Sequence, residues 1–133
     1  MSAVFADAFF YVALLNRDDN YHARALAFAS QSGIRIITTE WVLIEVADAF
    51  ARSRTRQKIP GFISALEANA LTEIIAASSV LFHRGLELYQ SRSDKAWTLT
   101  DCTSFVVMKD RGISSVLTQD KHFSQAGFSV VFN

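Results

Sequence analysis

Short apolar runs of about five residues alternate along this chain with longer stretches whose apolar side chains recur at helical spacing. Residues 3–7 predict a buried strand, and residues 8–16 an apolar helix ending near Asn16. Asp18, Asp19 and Asn20 supply turn and N-cap chemistry for a helix over 21–31, closed by Gly33. The β-branched run Ile34-Arg35-Ile36-Ile37-Thr38 predicts a second strand. Thr38 or Thr39 then caps a long helix that runs into 52–58, and Pro60 opens the next helix, which reaches Asn69. A third strand is expected over 72–76, with helices over 78–91 and 99–111, the latter stopping at Gly112. Residues 113–118 and 128–132 read as the last strands, with a short helical turn over 120–126 between them.

Strands apolar on both faces, alternating with helices, predict an α/β fold with a parallel sheet covered by helices. Ligands of open sheets of this kind sit beyond the carboxyl ends of the strands. The length of 133 residues fits one domain, 1–133, with enough chain for a substantial core. Half the residues are apolar and only one is proline, which argues against disorder. Thirteen Lys and Arg balance thirteen Asp and Glu, so any grip on nucleic acid must come from a local patch. The single cysteine, Cys102, excludes an internal disulfide framework and suits a reducing cytoplasm. With Arg17 as the first cation and Asp7 interrupting the first apolar stretch, neither a signal peptide nor a membrane span is expected.

Four carboxylates stand where apolar runs give way to a turn or helix: Asp7, Glu45, Asp101 and Asp120. Acids in apolar surroundings are paired, protonated or bound to a cation. Two carboxylates about 4 Å apart repel by roughly 4 kcal/mol at an effective dielectric near 20. No basic residue adjoins Asp7, Glu45 or Asp101 in sequence, so a divalent metal is the simplest neutraliser. All-oxygen ligation favours Mg²⁺ or Mn²⁺, whose usual work is to activate water and stabilise charge on phosphoryl groups. Phosphodiester hydrolysis is the corresponding chemistry.

Structural roles stand beside this reading. Thr98-x-x-Asp101 fits a capping box, and Asp120 can cap the turn that follows it. Glu45 can pair with Arg52, seven residues on along the same predicted helix face. The basic run Arg52–Lys58 scatters its charges around a helix, which suits a solvated C-terminus, with Arg52 the best candidate for substrate phosphate. His22, His83 and His122 lack metal-ligand spacing to one another, and His122 is assigned no catalytic role despite its nearness to Asp120. Cys102 reads as a small core residue, and Ser104 and Thr118 have no evident base partner for a nucleophilic triad.

Four segments together resemble the PIN domain, more narrowly the VapC-type ribonuclease toxins. They are Val4-Phe5-Ala6-Asp7, the run from Thr39 through Glu45 to Val46, the run from Asp94 through Asp101 to Phe105, and Leu117-Thr118-Gln119-Asp120-Lys121-His122-Phe123. The likeness spans almost the whole chain, including Ala126-Gly127-Phe128. It implies a three-layer α/β/α sandwich with a five-stranded parallel sheet, and Mg²⁺ or Mn²⁺ at a rim formed by Asp7, Glu45, Asp101 and Asp120. It further implies endonucleolytic cleavage of RNA, a small antitoxin partner, a homodimer and a cytoplasmic location. One departure is Ala8, where the family usually has Thr or Ser after the first Asp; a hydroxyl that could support metal or phosphate is lost. The alternative reading is a catalytically weak PIN-like module that binds RNA or protein.

Overall fold

The structure, a computed structural model, describes residues 3–132, so Met1, Ser2 and Asn133 of the expected 1–133 domain lie outside it. Five strands form one sheet in the order β3-β2-β1-β4-β5, and every pairing is parallel. They are β1 (Ala3–Ala6), β2 (Arg35–Thr39), β3 (Thr72–Ile75), β4 (Ser115–Leu117) and β5 (Ser129–Val130). The apolar strand faces are buried as their composition requires: Phe5, Ala6, Val116 and Leu117 expose no surface. Seven helices cover the sheet: α1 (Ala8–Leu15), α2 (His22–Ala29), α3 (Glu40–Ala49), α4 (Ile59–Ala68), α5 (Ser79–Ser91), α6 (Leu99–Arg111) and α7 (Lys121–Gln125). They fall into contact groups, α1 on α2 and α3, and α6 on α5 and α7, giving the three-layer α/β/α sandwich. No helix among the described residues is long and apolar enough to cross a membrane.

The chain winds outward from β1 through β2 to β3, then returns to the other side of β1 with β4 and β5. That reversal leaves a crevice between the carboxyl ends of β1 and β4. Two features fix its floor. The Thr38 hydroxyl donates to the Ala6 carbonyl at 2.8 Å, locking the end of β2 to the end of β1. Helix α1 is apolar nearly all round, and it buries Phe10, Tyr11 and Ala13, so its start cannot swing away from the sheet.

The helix expected to continue into 52–58 does not form. Helix α3 stops at Ala49 with buried Phe50 as its C-cap, and residues 54–58 make a separate 3-10 helix. The backbone tightens into i→i+3 bonds at Phe50 and Ala51, and Ser53, whose side chain accepts from the Thr55 amide at 3.0 Å, caps the new 3-10 helix. The remaining ends move by a residue or two, and the last strands shorten to Ser115–Leu117 and Ser129–Val130. Helix α6 runs over the predicted span and ends at Gly112, whose φ of 64° is the left-handed C-cap conformation.

Candidate functional site

Asp7 follows β1 directly and occupies the N-cap position of α1, yet its side chain makes no cap hydrogen bond. An aspartate there normally accepts from the first turn. Its Oδ2 instead accepts from the Thr118 hydroxyl at 3.1 Å, across the crevice from the end of β4. Thr118 is fully buried and Asp7 is 8 % exposed. Burial pushes the Asp7 carboxyl up to about 6; hydrogen bonds from the Ala8 amide and Thr118 oppose the rise, and the charges of Asp101 and Asp120 add to it.

Asp101 arrives from the first turn of α6. Its Oδ2 accepts from the Thr98 amide at 3.0 Å, while Thr98 Oγ1 accepts from the Asp101 amide at 3.0 Å. The predicted capping box is therefore real, and it aims Asp101 instead of competing with a role in the site. Asp120 likewise caps α7, with Oδ1 accepting from the His122 amide at 2.9 Å. Glu45, half-buried on α3, completes the group. Burial, then Asp7, Asp101 and Asp120 in turn, push its carboxyl up to about 7.

The four acids line one open cleft of about 360 Å³. Among the described residues no Lys or Arg forms an ion pair with any of them. Among the described residues His122 is the one positively chargeable group that pairs with them, with Nδ1 3.1 Å from Asp101 Oδ2 and 3.5 Å from Asp120 Oδ1. Ligand atoms of Asp101, Asp120 and His122 lie within 4.8 Å of one another. The oxygens divide their work. One oxygen each of Asp101 and Asp120 is tied to the protein and the other makes no hydrogen bond among the described residues, while Asp7 is held by Thr118 with the Ala8 amide beside it. Uncompensated charge, oriented carboxylates and free lone pairs on one cleft are the donor set a hard divalent cation requires.

Arg52 behaves differently. It lies exposed in the turn after α3, outside the cleft lining, and makes no ion pair with Glu45 or Asp48. The seven-residue spacing from Glu45 carries no meaning once α3 ends at Ala49. Three residues gain a place that spacing did not give them. Thr118 orients Asp7, Asp19 joins the cleft wall, and His122 bridges two acids. The signal for His122 was its position two residues after an acid at a strand end, and its 21-residue separation from Asp101 hid the second contact. Cys102 is buried in the core, its thiol pushed up to about 11 by burial and by neighbouring Asp101.

A family model for the PIN domain matches residues 4–129. The 23S rRNA-specific endonuclease VapC20 of Mycobacterium tuberculosis is 26% identical over 125 residues, which cover 94% of this chain and 95% of that protein. The crystal structure of VapC20, there called a sarcin-ricin loop cleaving toxin, superposes with a TM-score of 0.83 at 24% identity, covering 94% of this chain and 95% of that one. VapBC2 from Rickettsia felis, crystallised with a DNA fragment from its promoter, gives a TM-score of 0.66 at 13% identity, with 96% of each chain covered. FitAcB from Neisseria gonorrhoeae gives 0.65 at 18% identity, covering 98% of this chain and 96% of that one.

Proposed function

Because the chain belongs to the PIN domain family, we propose that it is a metal-dependent endoribonuclease, the toxin of a toxin-antitoxin pair. Its active site is Asp7, Glu45, Asp101 and Asp120, carried by a single PIN-like domain over 1–133. One observation carries this reading: three carboxylates, each oriented by a hydrogen bond from the protein, face one cleft whose lining holds no Lys or Arg. Asp7, Asp101 and Asp120 would hold Mg²⁺ or Mn²⁺, with Glu45 and His122 beside them. When bound, such an ion supplies Lewis-acid charge to a phosphodiester and eases ionisation of an attacking water.

The chain's own residues supply the positioning. Thr118 fixes the rotamer of Asp7, and the Thr98–Asp101 box fixes that of Asp101. In the metal-free cleft Glu45, with its carboxyl raised to about 7, exchanges a proton near neutral pH. VapC20, the relative named as a 23S rRNA-specific endonuclease, favours RNA as the substrate, with large-subunit ribosomal RNA the first to try. A small antitoxin, a homodimer and a cytoplasmic location complete the reading. Loss of the hydroxyl at Ala8 leaves every acid intact, which favours catalysis over a purely binding module.

The test is cleavage of ribosomal and synthetic single-stranded RNA in Mg²⁺ or Mn²⁺ against EDTA, with Asp7→Asn and Asp101→Asn as comparisons. Cleavage should require metal and fall below detection in both variants. Either variant cutting as the parent does would remove these residues from the site.

A further inference from the structure

The wall of the cleft beside Asp7 is aromatic, and it leads to an arginine. Phe9, partly exposed, lines the cleft two residues after Asp7. Its ring meets Tyr21 edge-on, with centroids 5.0 Å apart, and lies 5.7 Å from Phe132. The exposed Arg24 guanidinium sits over both of those rings, 5.5 Å from the Tyr21 centroid and 5.2 Å from that of Phe132. The Tyr21 hydroxyl accepts from the side-chain amide of Gln119, the residue before Asp120, so the wall is tied to the acid-bearing loop.

Charge bears on the same arginine, although position on the aromatic wall is what distinguishes it from the other arginines without a carboxylate partner. The cleft holds Asp7, Asp19, Glu45, Asp101 and Asp120, which repel a phosphate backbone, and the chain has no net charge to offset them. Arg84 pairs with Asp110 and Arg92 with Asp94, while Arg35 and Arg111 share Glu73. No carboxylate among the described residues pairs with Arg24. Its side chain is held by rings that buttress the cleft, leaving its outer face to solvent. Unstacked bases of single-stranded RNA are recognised on aromatic rings and guanidinium planes, and the same guanidinium can hold a phosphate.

We infer that Phe9, Tyr21 and Arg24 form a subsite for single-stranded RNA flanking the cut phosphodiester: one base packs on Phe9, and the adjoining nucleotide lies against Arg24. The subsite rests on the ribonuclease reading and adds to it the residues that select an unpaired strand. Tyr21 is a positioning residue, because it holds Arg24 by its ring and is itself anchored by Gln119.

Binding is read by fluorescence anisotropy with a short fluorescein-labelled single-stranded RNA of mixed sequence, in Mg²⁺, in an Asp7→Asn background that keeps the strand whole. Adding Arg24→Ala should weaken binding about tenfold and flatten the slope of log affinity against log salt by about 0.7. Arg24→Lys should restore the slope but only part of the affinity, since it keeps the charge and loses the plane. Phe9→Leu should weaken binding with the slope unchanged. Thermal melts of each variant separate misfolding from lost contact. Affinity and slope that stay at the parent's values in Arg24→Ala overturn the subsite, and full recovery in Arg24→Lys overturns its stacking role. Cleavage by protein with Asp7 intact tests the ribonuclease reading apart. Cleavage together with an unmoved Arg24→Ala affinity sinks the subsite alone; Arg24-dependent binding without any cleavage sinks the ribonuclease reading and leaves a binding site.

Discussion

Replacing Asp7 by asparagine removes a charge from a buried position of the acidic cleft while preserving the shape of the side chain and an acceptor for Thr118. In the metal-free protein that charge is a burden. The Asp7 carboxyl titrates at about 6 in the fold against 3.8 when free. Keeping it ionised at pH 8 therefore costs about 3 kcal/mol, taking about 1.4 kcal/mol per tenfold change in proton affinity. The folded state holds this proton more tightly than the unfolded chain does. Its contribution to stability is thus complete below about pH 4 and is lost as pH rises through about 6. Glu45, raised to about 7 first by burial and then by the other acids, moves in the same direction and carries the loss into neutral pH. In EDTA at pH 8, Asp7→Asn should be the more stable protein by up to about 3 kcal/mol, an increase in Tm of roughly 10 °C for a chain of this size. The difference should shrink as pH falls and vanish near pH 4. Added Mn²⁺ should reverse the order, because an ion that binds only the folded parent stabilises the parent alone. Thermal melts at several pH values, with EDTA or Mn²⁺, measure all of this. A variant that melts below the parent at pH 8 in EDTA, or a gap independent of pH, would refute the reasoning.

Asp101 should tolerate Asn better than Ala in urea unfolding, because only Ala removes the acceptor of the Thr98 amide, at about 0.5–1.5 kcal/mol; both should lose Mn²⁺ binding in calorimetry, and equal stability would deny that hydrogen bond its role. Gly85→Ala should destabilise by about 1–3 kcal/mol, since the added Cβ would lie 2.6 Å from Thr103 Cγ2, on the helix that carries Asp101. Adding Thr103→Ser, which removes that methyl, should restore most of the loss, and no rescue would place the strain elsewhere. Arg52→Ala removes an exposed charge outside the cleft lining, so it should leave the salt slope of RNA binding and Mn²⁺ uptake at the parent's values; a slope flattened by about 0.7 would return Arg52 to the substrate path.

The local chemistry of this protein is written in short stretches of its sequence, and so it could be read there. Doubly apolar strands alternating with helices specify a covered parallel sheet, Thr98-x-x-Asp101 specifies a cap, and Gly112 a stop. Four acids at element ends already suggested one rim, because strand ends in such sheets lie on a common edge. Helix α3 ends earlier than the apolar periodicity implies, because the backbone tightens at Phe50 and Ala51 and Ser53 caps a separate 3-10 helix, features that periodicity does not register. What the acids do individually depended on the tertiary structure. Asp7 stands at a helix start and would be read as a cap; it is turned to the cleft because β4 pairs beside β1 and brings in Thr118 from 111 residues away. His122 meets Asp101, and Arg24 meets Phe132, through the same closure of the sheet. Contacts of that kind depend on strand order, and strand order is set by how helices pack over the whole sheet, which no local spacing encodes.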